Sequence, residues 1–245
     1  MGAGSRQEDL STTGTGYLLQ KMALRGTNSR SKTQLAQEIE NMGARYSAKS
    51  DREQTNYNLQ VLKGDAGKAL GLLGDMLCNN ALNSAELELV KDEVSMEHED
   101  NHNRFEETTL ENAHFNSFRE HMLGQPIKGD RDLTHTLNVN QLRDYHTANY
   151  YGDNIVVVAT GDVSHDQIVD AVEKAFATLP KKASVATKNA EKPIYVPAIL
   201  FIRDDEMYNS NVGIFYDAPG VKHEDYYSFL LLKHMFGSYR IDQHA

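Results

Sequence analysis

Residues 14–27 read GTGYLLQKMALRGT, and this stretch decides the fold that the rest of the sequence supports. Its apolar spacing predicts a helix from Tyr17 to Gly26, where the glycine ends the run. Tyr17, Gln20 and Lys21 have the i, i+3, i+4 spacing that brings three side chains onto one helix face. The sequence therefore predicts a helix that presents a phenol, an amide and an ammonium group together.

A second predicted helix, at residues 85–102, carries a carboxylate on its apolar side. The apolar stripe Leu87, Val90 and Val94 continues by one helical step to Glu97. This pattern predicts that Glu97 points toward the core. The alternative is that the stripe ends at Val94 and that Glu97 is half-exposed.

Acidic residues are concentrated in the same part of the chain. The 245 residues include 25 Lys and Arg against 35 Asp and Glu, a net charge of −10. Residues 86–111 hold ten Asp and Glu and two basic residues, a net charge of −8. Such a segment is typical of a solvated helix face or of the wall of an acidic groove. The acidic balance disfavours nucleic-acid binding and favours basic partners.

Two features of composition exclude further classes. The longest apolar runs, at 155–159 and 198–202, have five residues each, whereas a membrane-spanning helix needs about 20. A single cysteine, Cys78, excludes an intramolecular disulfide and a multi-cysteine metal cluster, and it fits a reducing compartment.

Residues 98–102 read HEDNH, which matches the H-E-x-x-H pattern of zinc peptidases. On a helix, His98 and His102 lie one turn apart and can both reach a zinc ion, with Glu99 as general base. This segment is very polar, whereas a catalytic zinc site needs a protected, partly apolar setting. Two exposed histidines on an acidic helix are the simpler interpretation, and a zinc enzyme at this place is an alternative.

The order of the remaining elements indicates an α+β protein. Period-2 alternation predicts strands at 45–49 and 55–62, and apolar runs predict strands at 154–159, 199–202 and 212–216. Helical spacing predicts further helices at 33–42, 66–77, 110–122, 138–149, 165–179 and 225–235.

The run at residues 14–27 resembles the helix of the insulinase/pitrilysin-type zinc peptidases, which carries the motif H-x-x-E-H. In that family a third ligand lies 76 positions after the second histidine, and 76 positions after Lys21 is Glu97. Four further stretches support the resemblance: 40–57, 149–163, 203–207 and 218–220. The resemblance implies a mixed, largely antiparallel sheet covered by helices.

The departures from the family motif bear on function. Tyr17, Gln20 and Lys21 stand where the family has His, Glu and His, and Val90 stands where active members carry another glutamate. An amide cannot act as a general base, and an ammonium group would occupy the place of zinc. Glu97 is the one surviving ligand position, and we expect it to pair with Lys21. The resemblance therefore implies no catalytic residue, no bound metal and no cofactor in this chain.

The resemblance further implies core subunit 1 of the mitochondrial ubiquinol–cytochrome c reductase (complex III), which is not an enzyme by itself. Such a subunit would lie on the matrix side of the inner membrane. Its expected partners are an α-type core subunit 2, cytochrome b, cytochrome c1 and the Rieske subunit. The alternative is a mitochondrial processing peptidase subunit, of β or α type, whose acidic segment binds basic presequences.

The resemblance also suggests domain boundaries. We expect residues 1–180 to form a peptidase-like domain without the family's first strands, and the Lys-, Ala- and Pro-rich residues 181–197 to form a linker. Residues 198–245 would begin a second, similar domain. Since members of the family run to nearly twice this length, we expect a partial chain.

Overall fold

The computed structural model describes residues 1–100, 105–183, 192–203, 205 and 210–236. Its contacts divide the chain into two units, residues 1–211 and residues 212–245. The first unit contains strands β1 (Arg45–Ser50) and β2 (Thr55–Gln60) and helices α1 (Thr15–Met22), α2 (Lys32–Asn41), α3 (Ala66–Cys78), α4 (Ser84–Asp100), α5 (Phe105–Ser117), α6 (Arg131–Thr136), α7 (Val139–Asn149) and α8 (His165–Ala175). The second unit contains α9 (Tyr226–Phe236). Short 3-10 turns lie at Ser5–Gln7, Lys63–Asp65, Met122–Gly124 and Gly152–Asn154.

Local sequence explains where several helices begin. Gly14 precedes α1 with a φ of 89°, a left-handed value that glycine adopts without strain. Ser31 before α2 and Asn138 before α7 form capping boxes, in which a glutamine three residues later bonds back to the cap. These caps satisfy backbone N–H groups that the first helical turn leaves without a partner.

The hairpin β1–β2 is antiparallel and lies against the core of the first unit. Tyr46 stands opposite Leu59, and Ala48 stands opposite Tyr57. Alternate side chains of each strand are exposed or half-buried, as the period of two requires. The rings of Tyr46 and Tyr57 pack against the buried cluster.

The core of the first unit forms where α1 packs on α4 and α7. Leu18 and Met22 from α1, Val90 and Val94 from α4, and Leu142 from α7 are all fully buried. Burial of each such side chain stabilises the fold by about 1.5–3 kcal/mol relative to exposure. This packing fixes α1 alongside α4, and the candidate site lies between these two helices.

The α+β class with an antiparallel sheet is confirmed. The predicted helices are present with shifted ends, and the largest shift concerns α5. Its prediction was 110–122, but the helix spans Phe105–Ser117 and is followed by a separate turn at Met122–Gly124. The side chain of His121 accepts a hydrogen bond from the Leu123 N–H, which starts this turn.

Three predicted strands are wrong. Within the described residues the sheet has two strands, β1 and β2, and residues 155–159, 199–202 and 212–216 have no strand assignment. Val156 is 81% exposed, so the prediction of a buried strand there fails. An apolar extended run becomes a strand only when a neighbouring strand supplies the hydrogen-bond ladder.

The predicted domain boundaries stay a prediction. Residues 184–191 of the predicted linker lie outside the described residues, as do residues 204, 206 and 207 of the stretch 203–207.

In the described ranges, no helix is both long enough and apolar enough to cross a bilayer.

Candidate functional site

The polar face of α1 meets the last turns of α4 at a cluster of hydrogen-bonded side chains. Tyr17 Oη donates to Glu97 Oε2 over 2.6 Å, and Lys21 Nζ donates to Glu97 Oε1 over 2.6 Å. The Lys21 ammonium also lies 5.5 Å from the centre of the Tyr17 ring, within the range of a cation–π contact. The predicted pairing of Lys21 with Glu97 is confirmed.

A fourth residue of the cluster, Lys128, was not predicted from the sequence. Its Nζ lies 4.0 Å from Glu97 Oε2, and its side chain is only 13% exposed. Lys128 belongs to the segment between the Met122–Gly124 turn and α6, where Gly124 and Pro126 interrupt any helical or strand periodicity. Only the tertiary contact places it beside α1, so the sequence pattern carried no signal for it.

The electrostatics of the cluster favour an ionised Glu97. Burial by itself raises the pKa of Glu97, but the hydrogen bonds from Lys21 and Tyr17 and the charges of Lys21 and Lys128 outweigh burial. The net result is a pKa below its ordinary value. The Glu97 side chain is 34% exposed, so solvent still reaches the carboxylate.

The donor set of this cluster does not fit the zinc ion that the family motif H-x-x-E-H holds. Zinc in proteins takes imidazole, thiolate or carboxylate ligands, and a protonated lysine has no lone pair to offer. Gln20, which lies on α1 between Tyr17 and Lys21, has no ionisable proton and cannot act as a general base. Among the described residues, no group of three or more His, Cys, Asp and Glu side chains could hold a metal ion.

The alternative zinc motif on α4 is only partly described. His98 Nε2 is buried and makes no hydrogen bond within the described residues. Burial, and then the charges of Lys128 and Arg131, lower the pKa of His98. Glu99 is exposed and pairs with Arg131 at 2.7 Å. His102 lies outside the described residues, so the pairing of the two histidines stays a prediction.

A second carboxylate beside α1, that of Glu8, was also not predicted from the sequence. Glu8 is 2% exposed, and its two oxygens accept hydrogen bonds from the N–H groups of Gly14 at 2.8 Å and Gly16 at 2.6 Å. Burial raises the pKa of Glu8 to about 8, although these two hydrogen bonds act in the opposite direction. A cavity of about 240 Å³ lies beside it, lined also by Asp9 and Asp144.

Comparison with known families accounts for nearly the whole chain. Residues 1–131 match the insulinase family of peptidases (family M16), and residues 136–244 match the inactive domain of the same peptidase family. The chain belongs to the M16 peptidases. The resemblance seen at residues 14–27 is thereby confirmed.

Two curated relatives of this M16 chain are β subunits of the mitochondrial processing peptidase. The subunit of Neurospora crassa is 32% identical over 240 residues, which cover 97% of this chain and 50% of that protein. The subunit of Lentinula edodes is 32% identical over 241 residues, with 97% and 52% covered. The chain therefore spans about half the length of the curated relatives it matches.

A solved structure supports the fold. The peptidase M16 inactive domain from Pseudomonas fluorescens superposes with a TM-score of 0.70 at 21% sequence identity. The match covers 78% of this chain and 46% of that structure. At this identity the likeness concerns the fold alone.

These relatives overturn one prediction. The expectation that this M16 chain is not an enzyme by itself is wrong, because the relatives that cover 97% of it are named as subunits of a peptidase. The three altered side chains, Tyr17, Gln20 and Lys21, belong to one cluster of the subunit. The chemistry of one cluster limits what that cluster does, and it does not decide the activity of a subunit.

The acidic segment of this M16 chain lies at the surface. Residues 86–111 belong to α4 and α5 and the residues between them, of which 101–104 lie outside the described part. The exposed acidic side chains are Glu88, Asp92, Glu99, Asp100, Glu106 and Glu107. Some take part in ion pairs, such as Glu88 with Lys91 at 2.7 Å. These six exposed side chains are the acidic surface of α4 and α5, whereas the other four acidic residues, Glu86, Glu93, Glu97 and Glu111, are half-buried.

Proposed function

We propose that this chain is a β-type subunit of a mitochondrial processing peptidase and engages basic presequence peptides. The observation that carries the proposal is its similarity, over 97% of its length, to β subunits of that peptidase. The acidic surface of α4 and α5 supports the same conclusion, because opposite charges steer and orient an arginine-rich peptide.

The proposal includes a partner and a location. The relatives' β-type name favours pairing with an α-type subunit, and their mitochondrial name favours the mitochondrial matrix. A role as core subunit 1 of complex III, with cytochrome b, cytochrome c1 and the Rieske subunit as partners at the inner membrane, has less support. The relatives described above carry the processing-peptidase name.

The cluster around Glu97 contributes no step of hydrolysis in this proposal. Tyr17, Gln20 and Lys21 offer neither a general base nor an open metal position. We propose that the chain holds no metal at Glu97 and no other cofactor. Hydrolysis by a processing peptidase that includes this subunit would draw on groups outside this cluster.

Peptide binding tests the proposal. The full chain, alone and with an α-type processing-peptidase subunit, is titrated against a fluorescent amphipathic peptide with four arginines, at low and at physiological salt. A second peptide carries glutamine in place of each arginine. We expect binding of the arginine peptide that weakens with salt, and about tenfold weaker binding of the glutamine peptide. Equal affinities for the two peptides would overturn the proposal.

A matched pair of variants locates the binding surface. Asp92→Lys with Glu106→Lys reverses two charges of the acidic surface, and Asp166→Lys with Glu173→Lys makes the same change of net charge on α8. All four side chains are exposed. We expect the first variant to weaken peptide binding about tenfold and the second less than twofold. Equal losses would show that net charge alone governs binding, which contradicts a dedicated surface.

A further inference from the structure

We infer that Lys21 and Lys128 act together as an internal pair of cations that excludes divalent metals from the carboxylate of Glu97. The inference rests on the proposal that the chain holds no metal at Glu97, and it does not depend on the binding of presequence peptides. It rests on the placement of two lysines from separate segments around one carboxylate.

Both oxygens of Glu97 are already engaged. Oε1 accepts from Lys21 at 2.6 Å, and Oε2 accepts from Tyr17 at 2.6 Å with the Lys128 ammonium 4.0 Å away. Two ammonium groups supply the same total charge as one Zn²⁺ ion. A divalent cation approaching Glu97 would have to displace these donors and would meet two like charges at short range.

The fold fixes Lys128 in this position. Lys128 is followed by Gly129, whose φ is 82°, and Gly129 lies against Gly14 at the start of α1. A Cβ at Gly129 would come within 2.5 Å of the Thr13 carbonyl oxygen, and a Cβ at Gly14 within 2.7 Å of the Lys128 carbonyl oxygen. Two backbones can approach this closely only where both residues are glycine.

Hydrogen bonds from the side of α6 hold the same contact between Gly129 and the start of α1. The Asp130 N–H donates to Thr13 Oγ1 over 3.2 Å, and Thr134 Oγ1 donates to the Asp130 carbonyl over 2.7 Å. The Asp130 side chain in turn caps α6. The backbone of Lys128 is therefore held against both the start of α1 and α6. These contacts keep the Lys128 side chain within reach of Glu97.

A gain-of-binding experiment separates the contribution of Lys128. The substitutions Tyr17→His and Lys21→His in the full chain place two imidazoles one helical turn apart, facing Glu97, a set of donors that suits zinc. Zinc affinity is measured by competition with a chromogenic chelator, with and without Lys128→Met. We expect Lys128→Met to raise the zinc affinity about tenfold or more.

The control is Lys68→Met in the same background. Lys68 lies on α3, its side chain is 75% exposed, and it pairs with Asp65. If Lys128→Met changes the zinc affinity no more than Lys68→Met does, Lys128 has no part in metal exclusion and the inference is overturned. Circular dichroism verifies that each variant is folded.

A second measurement uses the native cluster and needs no engineered metal site. The melting temperature is determined for Lys128→Met, for Glu97→Gln and for the double variant. We expect Lys128→Met to lower the melting temperature by about 2–4 °C in the native background and by clearly less when Glu97 is already neutral. Equal losses in both backgrounds would contradict an interaction between Lys128 and Glu97.

Discussion

The two carboxylates beside α1 are held in opposite ways. Glu8 is almost fully buried and accepts hydrogen bonds from the backbone N–H groups of Gly14 and Gly16. Glu97 is half-exposed and accepts hydrogen bonds from Lys21 and Tyr17. Burial dominates at Glu8 and raises its pKa to about 8, whereas hydrogen bonds and charges dominate at Glu97 and lower its pKa.

The difference shows how backbone donors and side-chain donors of α1 act differently on a carboxylate. Backbone N–H groups at a helix start are fixed donors that lose little freedom when they bond, but they carry only partial charge. Lysine ammonium groups carry full charge and keep a carboxylate ionised, but removing them from water is costly. Glu8 therefore links the preceding chain to the start of α1, and Glu97 joins α1 to α4 at a place that solvent still reaches.

The largest expected effect is that of Glu8→Ala. It leaves two buried N–H groups, those of Gly14 and Gly16, without their acceptor, and we expect a loss of about 2–4 kcal/mol in the free energy of unfolding. Urea denaturation followed by circular dichroism measures this loss. Asp9→Ala, at the exposed neighbouring position, should cost less than about 1 kcal/mol. Equal losses would show that Glu8 does not support α1.

The next effect is a dependence of stability on pH through Glu8. Its pKa is raised from 4.5 to about 8 in the folded chain, so the folded chain keeps a proton that the unfolded chain releases. Stability should therefore fall as pH rises from about 4.5 to about 8. Urea midpoints across this range, compared between the native chain and Glu8→Gln, measure the effect. If the urea midpoint depended on pH equally in the native chain and in Glu8→Gln, the raised pKa of Glu8 would be contradicted.

Lys21→Met tests the other carboxylate. It removes the ammonium group from the half-exposed Glu97, and we expect a loss of about 1–2 kcal/mol in the free energy of unfolding, since solvent and Lys128 compensate in part. Thermal and urea denaturation measure the loss. Lys68→Met at an exposed position is the matched control, with an expected change below about 0.5 kcal/mol.

Glu97 should give a pH dependence of the opposite sign. Because its pKa is lowered in the folded chain, its stabilising contribution is complete above about 4.5 and is lost as pH falls through the lower folded value. We expect a loss of about 1 kcal/mol at most, discounted for exposure. The acid limb of the urea midpoints should be flatter in Glu97→Gln than in the native chain. An unchanged acid limb would contradict the lowered pKa.

The smallest effect belongs to an exposed ion pair between α6 and α4. Arg131 and Glu99 pair at 2.7 Å, and more than half of each side chain is exposed. Arg131→Ala should change the free energy of unfolding by less than about 0.5 kcal/mol. A loss as large as that of Lys21→Met would show that charge pairing on α4, and not the Glu97 cluster in particular, stabilises this region.

Part of this comparison could be predicted from sequence. The positions of Tyr17, Lys21 and Glu97 follow from helical spacing and from the family resemblance, and the contact between Lys21 and Glu97 is confirmed. Helical period also predicted α3 closely, because its apolar residues recur on one face. A local sequence pattern predicts an element correctly where the buried side of one helix determines which positions are apolar.

Other features depend on contacts that no local pattern encodes. Lys128 reaches Glu97 because Gly129 packs on Gly14, more than one hundred positions earlier in the chain. Glu8 lies in a polar, Gly- and Thr-rich stretch that carries no apolar period, and its burial comes from the elements around it. The apolar run at 155–159 reads as a strand in isolation, but a strand also requires a neighbour.

The zinc content of the full chain tests the central claim, that internal cations hold Glu97 in place of a metal, most directly. The chain is produced in zinc-supplemented medium, purified without chelators and analysed by mass spectrometry of its metals. The account predicts far less than one zinc ion per chain and a melting temperature that a chelator leaves unchanged. One zinc ion per chain, lost on Glu97→Gln, would contradict it.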